Sequence, residues 1–159
     1  MGIKNAMAHI VSQVQLITPG TDDGMSYVCD ADATGNATPL EKVAGRQDRL
    51  FDLQRSVDSG PTDDGESGLL QRRFRIDLDL RMTYSLQGDI ARAERLALED
   101  IGIIGRALAN LSTGAAATTA GILSILPVAS SSLTKFTNDE AREVAWMWFT
   151  TFTLIYREV

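Results

Sequence analysis

Residues Gln71 to Leu86, QRRFRIDLDLRMTYSL, decide the fold. Arg73, Arg75, Asp77, Asp79 and Arg81 alternate without a break with Phe74, Ile76, Leu78, Leu80 and Met82. Successive side chains of a strand point to opposite faces, so the stretch predicts a strand with one apolar and one charged face. The apolar face must lie on a core. A face carrying both signs of charge is more than solubility requires and suits a matching face on a neighbouring subunit; plain solvent exposure is the competing reading.

Downstream, Gly88-Asp89 supplies a stop and an N-cap, and Ile90, Ala93, Ala97, Ile101, Ile104, Leu108 and Leu111 recur at spacings of three and four. This predicts a long amphipathic helix whose opposite side, Arg92, Arg95, Glu99 and Arg106, faces solvent. Gly102 and Gly105 inside it are expected to permit close packing. The small-residue run Ser112 to Gly121 reads as a loop. Ile122 to Leu126 reads as a short strand ended by Pro127 at an edge or turn, because proline cannot donate to a ladder. Trp146 to Tyr156 holds five of the ten aromatics. With Trp146, Trp148, Phe152, Leu154 and Tyr156 on one face and Met147, Phe149 and Ile155 on the other, this strand should be covered on both sides, in the sheet interior or at a subunit contact.

Upstream, Thr18 to Gly68 holds eleven Asp and Glu against four Lys and Arg and reads as long acidic loops around short extended segments, Ser26 to Asp30 and Leu50 to Val57. The second could pair antiparallel with the central strand across the loop Asp58 to Gly68, which is long for a hairpin. Ile3, Met7, Ile10, Val11 and Val14 predict a first helix ended by Pro19-Gly20. The expectation is a single α+β domain over residues 1–159, with a mostly antiparallel sheet of about four strands packed against the N-terminal helix and one long central helix.

The apolar fraction, 44%, and charged fraction, 23%, are those of a globular chain, and a net charge of −6 disfavours generic nucleic-acid binding. No run approaches a membrane span and no signal-like start is visible, so folding in the cytosol without a membrane partner is expected. Cys29 is the only cysteine and reads as a small, part-buried apolar side chain.

Few groups suggest chemistry. Asp30, Asp32, Thr34 and Glu41 stand at positions one, three, five and twelve of a calcium-loop spacing, with Gly35 at six. The β-like segment before it and Pro39 within it favour a solvated loop, so no metal or other cofactor is expected. Asp22-Asp23 and Asp63-Asp64 are explained by turn chemistry. His9, the only histidine, lies in the first helix with no second histidine to build a dyad, and neither a nucleophile elbow nor a phosphate-binding glycine loop is present. No enzyme is expected.

The order helix, strand hairpin with a long tip, helix, strand pair resembles the tail terminator proteins of long-tailed bacteriophages. The resemblance rests on Arg73 to Arg81 as the central strand, Asp89 to Leu111 as the following helix and Phe149 to Glu158 as the closing strand. It covers residues 69–159 and, more loosely, the first helix; the acidic region departs from shorter members. It implies a structural virion protein, assembled in the host bacterial cytoplasm. Six copies would form a ring that caps the tail tube, stops its polymerisation and meets the neck. Its partners would be further copies, the tube protein and a neck or connector protein, with DNA passing through unbound. Arg73, Arg75, Asp77, Asp79 and Arg81 would contact other subunits or the tube, and the loop acids Asp58, Asp63, Asp64 and Glu66 the tube or neck. A head-completion adaptor, a tube subunit and a calcium-binding module are the alternatives.

Overall fold

The computed structural model describes residues 2–20, 25–30, 38–57, 59–66, 72–87, 89–111, 115–137 and 140–158. Asp22, Asp23, Asp32, Thr34, Asp58 and Gly88 lie outside the described residues, as do the side chains of Asp64 and Glu66.

The alternating stretch forms β3 (Arg72–Ser85), and the aromatic C-terminal stretch forms β6 (Glu143–Glu158). They pair antiparallel over their common length, from Arg72 opposite Glu158 to Ser85 opposite Ala145. Each carries two shorter antiparallel strands along its free side. β1 (Leu50–Arg55) and β2 (Thr62–Glu66) lie on β3, and β4 (Ile122–Ser130) and β5 (Thr134–Thr137) on β6. The fold is α+β with an antiparallel sheet, as expected, but among the described residues the sheet has six strands rather than about four.

The two extra strands have a common cause. β3 and β6 are 14 and 16 residues long, whereas β1 covers β3 only from Leu78 to Thr83. Their overhanging backbone groups need partners, and Thr62–Glu66 and Thr134–Thr137 supply them. Part of the expected loop Asp58 to Gly68 is therefore a strand despite its acidic, turn-like composition. Ser26 to Asp30, in contrast, is no strand: a single parallel bridge joins Val28 to Leu50. β4 does not stop at Pro127 but runs to Ser130, with a register shift between Pro127 and Ala129 that accommodates the proline at the sheet edge.

Two helices cover one face. α1 (Ile3–Gln15) buries Ala6, Ile10 and Val14, and α3 (Ile90–Asn110) buries Ala93, Leu96, Ala97, Ile104 and Leu108. They pack on Phe51, Ile76, Leu78, Leu80, Met82, Trp148, Phe152 and Leu154 in one hydrophobic core. Each such large side chain contributes about 1.5–3 kcal/mol by leaving water. Asp89 caps α3 by accepting from the Arg92 amide at 2.8 Å. Ile90, placed in its apolar series, is 49% exposed. Gly102 and Gly105 do not mediate close packing: nothing lies within 4 Å of a Cβ built on Gly105, and only the Arg106 side chain approaches one on Gly102. Residues expected to form a loop after α3 instead include a short helix, α4 (Ala115–Thr119), which buries Ala117 in the same core.

On the opposite face, α2 (Leu40–Val43) covers one end of the sheet. Leu40 and Val43 pack with Leu50, Phe136 and Ala145 in a second, smaller core. Met147, Phe149 and Ile155 of β6 are only half-buried, whereas Trp148, Phe152, Leu154 and Tyr156 on the other face are buried, so this strand is less completely covered on the open face. Among the described residues no helix is long and apolar enough to cross a membrane.

Candidate interaction face

The charged row of β3 lies on the face that α1 and α3 leave open. Its cross-strand neighbours on β6 are Arg157, Ile155, Thr153, Thr151 and Phe149, opposite Arg73, Arg75, Asp77, Asp79 and Arg81 in turn. On the other side Thr62 faces Arg75, Gln54 faces Asp79 and Asp52 faces Arg81.

These neighbours divide the row into an engaged and an accessible part. Arg81 is held at the α2 end: its Nε donates to Asp52 at 2.9 Å, a second nitrogen also reaches Asp52, and Nη1 meets Glu41 of α2 at 3.2 Å. Burial by itself would lower its pKa, but the hydrogen bonds and charges of Asp52 and Glu41 raise it on balance. Its guanidinium also lies 5.9 Å from the Phe136 ring centroid. Asp79 is buried, accepting from the Thr151 hydroxyl at 2.6 Å. Asp77 accepts from Thr153 at 2.6 Å but is only half-buried. Arg73 is half-buried, and Arg75 is exposed with no ion pair among the described residues. On the β4 and β6 half of the face apolar side chains stand among threonines: half-buried Ile155 is beside Arg75, and Leu126, opposite Thr153, is 45% exposed.

Of the loop acids, Asp63 is exposed on β2. Of the candidate calcium ligands, Asp30 meets Arg46 at 3.5 Å and Glu41 meets Arg81, so both described carboxylates already face arginines. No group of three His, Cys, Asp or Glu side chains among the described residues is arranged to hold a metal ion. His9 is half-buried within α1.

One polar cluster escaped the sequence reading. Asp100, inside α3 and fully buried, accepts from Arg49 Nε at 3.0 and 3.1 Å, from the Tyr27 hydroxyl at 2.6 Å and from the Tyr84 hydroxyl at 2.7 Å. Trp148 Nε1 in turn donates to the Tyr84 oxygen at 2.7 Å. Arg49 is also fully buried and has a left-handed backbone, φ +59°. Burial and the Asp100 carboxylate push both phenols far above their ordinary pKa. An available signal was the position of Asp100, three residues after Ala97 and four before Ile104, within the apolar stripe of the helix. Buried throughout, this cluster joins α3, β3, β6 and the segment around Tyr27. Arg92, expected on a solvated face, pairs with the buried Asp48, which also accepts from the Ser85 amide at 2.9 Å.

A scan against models of known protein families gives no match to this chain, and a search of curated proteins gives none.

Proposed function

We propose that the chain is a structural subunit that works by self-association, a tail terminator of the kind found in long-tailed bacteriophages. In this reading six copies close into a ring on the end of the tail tube, stop its growth and meet the neck protein of the capsid. The protein acts in the virion after assembly in the host cytoplasm, and DNA passes through the ring without specific binding.

The observation that carries the reading is the one-sided sheet: two long central strands, helices α1 and α3 on one face, and on the other an open area of mixed charge beside exposed apolar side chains. An uncovered sheet face of this composition suits contact with another protein surface better than it suits water. The sequence order of first helix, strand hairpin, long helix and closing strands also fits the resemblance. Heterologous contacts between identical subunits either close into rings or run on as filaments, so symmetry discriminates between a terminator and a tube subunit. Negative-stain images of the purified protein test this. Closed rings with six-fold symmetry are expected; filaments of unlimited length would contradict the terminator reading and indicate a tube subunit.

A further inference from the structure

We infer that the open sheet face pairs with the same face of a second copy of this chain. The order of signs along β3 favours this pairing. Arg73, Arg75, Asp77 and Asp79 point to one face in the order plus, plus, minus, minus. Rotation by half a turn about an axis lying in the contact plane, across the strands and between Arg75 and Asp77, reverses that order. It sets the exposed Arg75 of each copy against the half-buried Asp77 of the other; Arg73 would lie over Asp79, which is buried and already accepts from Thr151, so Arg75 and Asp77 carry the self-complementarity. A contact of this kind is isologous and closes after two partners.

The local groups are suited to it. Arg75 is exposed, lies next to Ile155 and has no ion pair among the described residues. Asp77 uses its carboxylate for one side-chain hydrogen bond, from Thr153, and an ionised carboxylate has acceptor sites to spare. Packed sheets lie about 10 Å apart, a gap that an extended arginine spans. The same rotation carries β6 over β6 and β4 over β4, bringing Ile155 and the exposed Leu126 of both copies alongside the charge pairs. The inference does not rest on the ring reading. A face paired in this way is not open to ring neighbours, so a ring would close through other surfaces, and face pairing would turn one chain into two or one ring into two stacked rings.

Light scattering at low salt over a concentration series tests it with wild type, R75D, D77R, an equal mixture of the two variants, and R75D/D77R. The wild type should double its mass with concentration. Each single variant sets like charges opposite each other at both symmetric positions and should need about tenfold more protein to double. The mixture restores opposite signs at both positions, and the double variant is again self-complementary, so both should double as the wild type does; their recovery also shows that the substitutions leave the fold intact. A wild type of constant mass, single variants that double normally, or a mixture that fails to recover while circular dichroism shows folded protein would each overturn the inference. The last result would point to a different surface as the occupant of this face. The size of the undoubled unit reports on the ring reading separately.

Discussion

Asp100 is fully buried inside α3. Its carboxylate takes four hydrogen-bonding contacts from three side chains that arrive from three separate parts of the chain. Breaking a buried ion pair strands the remaining charge, so Asp100→Ala should lower stability by about 3–5 kcal/mol in urea unfolding. Replacing Arg49 and Asp100 together by apolar residues should cost much less than the sum of the two single changes, because no charge is then left buried. The two phenols of this cluster and the Cys29 thiol should set the alkaline limit. Burial, with Asp52 and Asp30 nearby, pushes the Cys29 thiol up from 9.0 to about 11, and burial with Asp100 raises Tyr27 and Tyr84 well above 10.0. The folded state therefore holds these protons more tightly than the unfolded chain. Their contribution to stability is fully present below about pH 9 and is lost as pH rises through the folded pKa values. Urea midpoints should be level from about pH 7 to 8.5 and fall steeply above 10, with Tyr84→Phe reducing the fall. Level midpoints through that range would contradict the buried placement of these groups.

At the scale of elements, two glycines separate conformational need from accident. Gly45 follows α2 with φ +84°, and a Cβ there would sit 2.3 Å from the Val144 carbonyl oxygen of β6. Gly45→Ala should therefore cost about 1–3 kcal/mol by strain and by lifting α2 from the second core. Gly105 lies in the exposed side of α3 with open space around it, so Gly105→Ala should stabilise by about 0.5–1 kcal/mol. Thermal unfolding of both variants checks the pair, which should move in opposite directions. The same contrast between local and distant causes explains what the sequence disclosed. β3, β6, α1 and α3 were legible because each writes its own periodicity over ten or more residues. β2 and β5 were not, since Thr62–Glu66 and Thr134–Thr137 become strands through the overhangs of β3 and β6. The charged row was legible as a face. Its division was not, because Asp52, Glu41, Thr151 and Thr153, which engage Arg81, Asp79 and Asp77, come from elements remote in the chain.

For the whole molecule, the asymmetry of the sheet matters most. Among the described residues, one face is closed by α1 and α3, and the other is closed only where α2 sits over Leu50, Phe136 and Ala145. The rest of that face joins Arg75 and Asp77 to Ile155 and Leu126, a composition that favours a protein partner over bulk water. Self-association is the central claim, and native mass in solution tests it most directly. In about 1 M salt, where charges are screened beyond ~3 Å, the inferred face pairing should weaken and the proposed ring should remain as the unit. The account predicts a particle of six chains under these conditions. A particle of one chain at every concentration would contradict it.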